Sequence, residues 1–307
     1  MPRHKDCITL LDYSHDEIAG ILSRARKLKA ERGAADAKIL HGRTGVLIFE
    51  KPSLRTRITF ETALNELGGH AINLESSMVQ IGKRESVEDV ARNLQRWVHL
   101  IIARTYSHNT IVKLARACSI PVINALTDLY HPCQALAFAQ TVWEHLGSDS
   151  RPWIVFIGDG NNVCSSLMAL AAQMGYNFTL ACPAGYEPPA EVISACSEKA
   201  EKSKCTISVS HDLVDAVRNA TVLYTDVWTS MGQEEESSVR QKAFSGFQVN
   251  KALLAHCSQN VLVSHCLPAH RGQEITSEIL DSKQSIALDE AENRLHVQKA
   301  VIHYLLS

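Results

Sequence analysis

Ile18, Ile21, Leu22, Ala25 and Leu28 recur at helical spacing, which predicts an amphipathic helix over residues 16–31 with Ser14 placed to cap it. After a polar break the period changes. The run 45–49 (Gly-Val-Leu-Ile-Phe) is short and continuously apolar, as a strand buried on both faces requires, and residues 59–67 predict the helix that follows it. The alternation repeats with a strand at 71–74, a helix at 87–98, a strand at 100–103, a helix near 110–117 and a strand at 121–124. A second series has apolar runs at 153–157, 178–181, 206–209, 221–224 and 261–264, which predict a second parallel sheet. A long helix at 133–146 lies between the two series, and an amphipathic segment at 297–306 closes the chain. Residues 232–238, with three consecutive Glu, predict a polar, mobile loop.

The expected architecture is therefore α/β in two domains. A chain of 307 residues exceeds the usual single core. With 45% hydrophobic and 21% charged residues it falls among ordinary globular chains rather than disordered or fibrous ones. Lys and Arg total 31 against 33 Asp and Glu, a net charge of -2, so no bulk field gathers nucleic acid or an anionic membrane and any anion site must be local. The nine cysteines are scattered singly with no CxxC pair, which suits reduced thiols. No apolar run follows the charged N-terminal residues and none reaches the roughly 20 residues of a membrane span, so a cytoplasmic protein is expected.

Candidate chemistry collects where strands end. Lys51-Pro52-Ser53-Leu54-Arg55-Thr56-Arg57 stands between a strand and a helix, where free amides, hydroxyls and guanidinium groups suit a phosphate; a capped helix start with solvated arginines fits the same residues. Arg104 ends the apolar strand 100–103, the edge at which ligands bind open α/β sheets, and a salt-bridged edge residue is the alternative. In the loop Tyr130-His131-Pro132-Cys133-Gln134, His131 and Gln134 join Arg104 as donors for charge developing on an attacked carbonyl oxygen. The loop Gly158-Asp159-Gly160-Asn161-Asn162-Val163 breaks the dinucleotide fingerprint, because Val163 replaces the third glycine; a small carboxylate beside Asn162 suits it better, and a helix cap is the alternative role of that residue.

Asp226 follows another strand and suits an ammonium group, with Ser230 and the Met231 amide for the rest of an amino acid and Gly232 for the turn; a strand-terminal Asp capping the next turn is the alternative. His265-Cys266-Leu267-Pro268 invites a metal or thiolate reading; no spaced Cys or His pair completes a closed zinc site, which leaves the thiol. Asp289-Glu290-Ala291-Glu292-Asn293-Arg294 reads only as a charged helix start.

Taken together and in this order, the segments resemble the aspartate and ornithine carbamoyltransferase family from about Ile8 to the C-terminus, and His265-Cys266-Leu267-Pro268 with Asp226 and Ser230-Met231-Gly232 is similar to its ornithine branch. The resemblance implies transfer of the carbamoyl group of carbamoyl phosphate to the δ-amine of ornithine, giving citrulline and phosphate. It implies a carbamoyl phosphate domain over 1–134 and 293–307 and an ornithine domain over 135–292, joined by the linking helix and by a terminal helix that returns to the first domain. Ser53, the Leu54 amide, Arg55, Thr56 and Arg104 then bind the phosphate and carbonyl, His131 and Gln134 the carbamoyl group, and Arg294 closes the site. Asn162, Asp226, Ser230 and Met231 hold the amino-acid end of ornithine, while Cys266 and the Leu267 carbonyl meet the reacting amine. The resemblance further implies that Gln80 reaches into a neighbouring subunit's site in a homotrimer, with sites at subunit interfaces and neither metal nor organic cofactor. Phe138 departs from the family's usual Asp, Leu54 from its usual Thr, and Val90 also stands where Thr is common.

Overall fold

The computed structural model describes residues 5–33, 39–75, 81–82, 84–229 and 234–307, so Gln80, Ser230, Met231 and Gly232 lie outside the described residues. The chain divides into two units, Met1–Gln140 with Asn293–Ser307, and Thr141–Glu292.

The first unit is built on four parallel strands, β1 (Thr44–Phe49), β2 (His70–Glu75), β3 (Leu100–Arg104) and β4 (Val122–Leu126), in the order β2-β1-β3-β4. Every residue of β3 is buried, which is why its sequence is an unbroken apolar run rather than an alternating one. Val46, Ile48, Ile101 and Ala103 pack with Ala91 and Leu94 of the helix Val87–Leu94 and with Ile111 and Leu114 of His108–Ala117. The helix His15–Ala30 starts with a capping box: the Ser14 hydroxyl accepts from the Glu17 amide while the Glu17 carboxylate accepts from the Ser14 amide.

Two helices start earlier than their apolar pattern predicts. The first runs Leu54–Glu66 rather than from residue 59, so Leu54, Arg55 and Thr56 form its opening turn. Its polar first turn hid the start from a periodicity argument. The terminal helix is Ala287–Leu306 rather than 297–306, because the segment read as a charged helix start carries buried polar side chains: Glu290, Asn293 and Arg294 are all buried. In the first unit Lys29 Nζ donates to Asn293 Oδ1 (2.9 Å), and buried Lys299 pairs with Glu66 (2.8 Å). These paired polar groups dilute the apolar stripe that would have marked the helix.

The second unit holds five parallel strands, β5 (Trp153–Ile157), β6 (Asn177–Ala181), β7 (Ile207–Ser210), β8 (Val222–Thr225) and β9 (Leu262–His265), in the order β7-β6-β5-β8-β9. Val155, Leu223 and Val263 form the centre of a core cluster on this sheet. The loop expected over 232–238 is helical in its described part, a 3-10 turn Glu234–Glu236 followed by the helix Ser237–Ala243. Among the described residues no helix is long and apolar enough to cross a membrane.

Each sheet reverses its strand order once, between β1 and β3 in the first unit and between β5 and β8 in the second. At such a point the loops leaving the two strands part to opposite faces and open a crevice at the carboxyl edge, where open α/β sheets bind ligands. The segment beginning at Lys51 leaves β1 and Arg104 ends β3; the segment beginning at Gly158 leaves β5 and Asp226 follows β8.

Candidate active site

In the first unit, the helix Leu54–Glu66 presents its N-terminus at the crevice. Ser53 is its N-cap, yet its side chain makes no capping hydrogen bond, so the opening amides are not taken by the cap hydroxyl. Leu54 is exposed and contributes its backbone rather than its side chain to this turn. Buried Thr56 accepts a hydrogen bond from an Arg294 guanidinium nitrogen at 2.6 Å, which ties the terminal helix to the first turn.

A β-bulge between Ala103 and Arg104 breaks the β3–β4 register where Arg104 leaves the strand, and bulges at strand ends re-aim side chains. Arg104 is buried. It makes no ion pair among the described residues, and its Nε has no hydrogen-bond partner there. Burial, then the neighbouring Arg294 and Arg55, draw its pKa down to about 10. Arg104 thus feels two further guanidinium groups, an arrangement that costs energy alone and that an anion would relieve. Buried His131 feels the same field: desolvation first, then Arg294 and Arg104, hold its pKa well below the ordinary imidazole value, so it is neutral at pH 7. Gln134 is buried on the same helix entry, Pro132–Leu146. A buried guanidinium, a buried neutral imidazole and a buried amide are the result, donors of the kind that suit an anion. Phe138, noted above as a departure from the family's usual Asp, is fully buried in this helix.

In the second unit, Asp226 is the hub. One carboxylate oxygen accepts from the Cys266 thiol (2.8 Å) and from the Val227 amide (2.8 Å), and the other accepts from Asn161 Nδ2 (2.8 Å). Asn161, not Asn162, caps the helix Asn162–Met174, its Oδ1 accepting from the amides of Val163 and Cys164. Asn162 is the first helical residue, half-buried, its carbonyl accepting from Ser166. Sequence reasoning passed over Asn161; its place immediately before the apolar helix was the available signal.

Leu267 adopts a left-handed backbone (φ 54°), and its amide donates to His265 Nδ1 at 2.8 Å. That bond leaves His265 Nε2 as the protonated nitrogen, donating to buried Glu274 at 3.0 Å. Asp226, His265 and Cys266 lie close enough to resemble a metal-ligand set, but the imidazole lone pair is already used by the Leu267 amide and the thiol proton by Asp226. The arrangement is a chain of hydrogen bonds that fixes a thiol and the following backbone.

Behind β8 and β9, Glu290 is fully buried and accepts from Tyr224 (2.8 Å) and Ser264, so a residue whose sequence marks only a charged helix start is a brace under two strands. Burial, then Glu290 itself, push the Tyr224 phenol well above its usual pKa, keeping it a donor. Arg240 is the third unforeseen contributor. It pairs with Asp159 at 3.1 Å and Glu236 at 2.9 Å, and donates to the Trp228 carbonyl at 3.2 Å, so it grips residues on both sides of 230–233. Burial raises the Asp159 pKa to about 6 against the opposing pull of Arg240.

Comparison with known proteins divides the chain near the same point between the two sheets. Residues 5–144 match the aspartate/ornithine carbamoyltransferase carbamoyl-P binding domain and residues 152–305 its Asp/Orn binding domain. The chain is similar to an ornithine carbamoyltransferase of Pyrococcus horikoshii, 46% identical over 98% of this chain and 96% of the relative. It is 48% identical to one of Chlorobaculum tepidum over 98% of this chain and 86% of that one. The crystal structure of ornithine carbamoyltransferase from Pyrococcus furiosus superposes with a TM-score of 0.95 at 44% identity, covering 98% of this chain and 97% of that chain.

Proposed function

The chain belongs to the aspartate/ornithine carbamoyltransferase family, and from that premise we propose that it transfers the carbamoyl group of carbamoyl phosphate to the δ-amine of ornithine, releasing citrulline and phosphate. The observation that carries the reading is buried Arg104, its Nε unpartnered among the described residues, crowded by Arg55 and Arg294 at the switch point of the first sheet.

The phosphate is held by the Ser53 and Thr56 hydroxyls, the opening amides including that of Leu54, and Arg55. Arg104, neutral His131 and Gln134 donate to the carbonyl, and Arg294 lies against Thr56 to close on the anion. Asp226 and Asn162 engage the amino-acid end of ornithine. Cys266 and the Leu267 carbonyl accept hydrogen bonds from the δ-amine once it has lost its extra proton, aiming its lone pair at the carbonyl carbon. A C–N bond forms, negative charge passes onto the carbonyl oxygen, the C–O bond to phosphate then breaks with its electron pair going to the phosphate oxygen, and the surplus proton on the new C–N nitrogen leaves with the phosphate. Holding both substrates contributes roughly 7–11 kcal/mol in favourable geometry, and each well-aimed donor about 3. No covalent enzyme intermediate, metal or organic cofactor enters this scheme.

Ser230 and Met231, for the carboxylate and amino group, and Gln80, reaching in from a neighbouring copy, are assigned by resemblance alone. A homotrimer in the cytoplasm completes the reading. The first unit supports the assembly by exposing Leu54, Ile58 and Trp97, large apolar side chains suited to a second copy.

The test is citrulline formation from carbamoyl phosphate and ornithine by purified protein, beside reactions given putrescine, N-acetylornithine or aspartate. Citrulline from ornithine, with little turnover of the others, is expected. Preference for another amine would overturn the acceptor assignment, and inactivity with all four would overturn the reaction.

A further inference from the structure

Cys182 follows β6, His211 follows β7, and these strands pair in parallel with Ala181 opposite Ser210. The Cys182 amide donates to the Ser210 carbonyl at 3.2 Å, so the two residues sit at adjoining, hydrogen-bonded strand ends. Glu187 comes from the loop that leaves β6, its carboxylate accepting from the Gly185 amide at 3.0 and 3.2 Å. The Cys182 thiol, a Glu187 carboxylate oxygen and His211 Nε2 all lie within 4.8 Å of one another. None of the three belongs to the substrate-binding set.

The orientation of the imidazole gives the cluster its character. His211 Nδ1 lies 2.9 Å from the Cys182 carbonyl, which only accepts, so Nδ1 carries the proton. In the neutral ring Nε2 then holds the lone pair, and it faces Glu187 at 3.5 Å. Metal-binding histidines are commonly oriented in this way, with the second ring nitrogen bonded to a backbone carbonyl. The 3.5 Å separation also equals the ligand–ligand edge of about 3.5 Å expected around a tetrahedral zinc with bonds of roughly 2.0–2.3 Å.

From this geometry we infer that Cys182, Glu187 and His211 form a binding site for a thiolate-seeking divalent cation of the zinc class, with its fourth position left to water. Thiol, imidazole and carboxylate together suit zinc rather than magnesium or calcium, which take oxygen ligands. On coordination the thiol gives its proton to solvent and the metal ties the ends of β6 and β7 to the loop between β6 and the helix Ala190–Ser203.

Cobalt(II) serves as the probe, because thiolate coordination gives it a near-ultraviolet charge-transfer band. It is titrated into the full-length Cys266→Ala protein, which removes the thiol from the other Asp-His-Cys cluster. One equivalent with the charge-transfer band is expected, and adding His211→Gln should weaken binding about tenfold or more. Adding Cys182→Ser should abolish the band. No thiolate band in the Cys266→Ala protein, or unchanged affinity after His211→Gln, overturns the site. Cys182 is buried, whereas His211 is largely exposed, so the His211→Gln comparison decides the matter even if Cys182→Ser fails to fold.

Discussion

Asn161 uses both ends of one amide: its oxygen caps a helix and its nitrogen steadies Asp226. Asn161→Ala should therefore cost about 1 kcal/mol of stability through the lost cap and raise the KM for ornithine by releasing the carboxylate. Denaturant unfolding and steady-state kinetics on the same preparation check both effects; a stability loss with unchanged KM would assign Asn161 to the helix alone. Cys266 donates to the same carboxylate. Cys266→Ala should lower kcat by roughly 10²-fold and alter its pH profile if the thiol aims or deprotonates the amine, whereas unchanged turnover across pH would remove the thiol from the chemistry. Arg104→Gln removes a buried cation from the crevice and should lower kcat/KM for carbamoyl phosphate about 10²–10³-fold. A loss seen only against ornithine would contradict the assignment.

Strands and the loops at their ends were legible because parallel strands buried on both faces write long apolar runs, as β3 and β5 do. Helix starts were less so. The opening turn that follows Leu54 is polar, and the buried face of Ala287–Leu306 interleaves polar residues such as Glu290, Asn293, Arg294 and Lys299 with its apolar ones, whereas periodicity registers only the apolar neighbours. Glu290 is the sharpest case: as a sequence letter it joins a run of charges, while in space it receives two hydroxyls. Arg240 was hidden for the same reason, since nothing local announces a pair with Asp159. That pair carries a pH signature. Because the folded pKa of Asp159, about 6, lies above its ordinary 3.8, the folded chain retains a proton that the unfolded chain has released between about pH 4 and 6. Stability contributed by this group is present below pH 4 and is lost as pH rises to 6. Relative to wild type, Asp159→Asn should gain on the order of 3 kcal/mol across that window, read from urea midpoints. A flat difference would mean that Arg240 keeps the carboxylate ionised throughout.

At the scale of the whole molecule, the proposed trimer predicts a sedimenting species three times the mass of the chain, and a charge in place of one of the exposed apolar side chains, as in Ile58→Glu, should shift it toward the single chain. A trimer unaffected by that change would place the contact elsewhere.

Gly160 lies between Asp159 and Asn161, and a side chain there would collide with backbone: its Cβ would stand 2.3 Å from the Pro188 nitrogen and 2.5 Å from the Glu187 carbonyl carbon. The loop bearing both anchors therefore rests on the bare chain of the segment that supplies Glu187, with a hydrogen bond from the Gly160 amide to the Tyr186 carbonyl (2.8 Å) across the contact. Any coupling between binding events on opposite sides of so close a seam is reciprocal. If a cation at Glu187 changes the affinity for ornithine by some factor, ornithine must change the affinity for the cation by the same factor, and titrating either ligand in the presence of the other measures that one number twice.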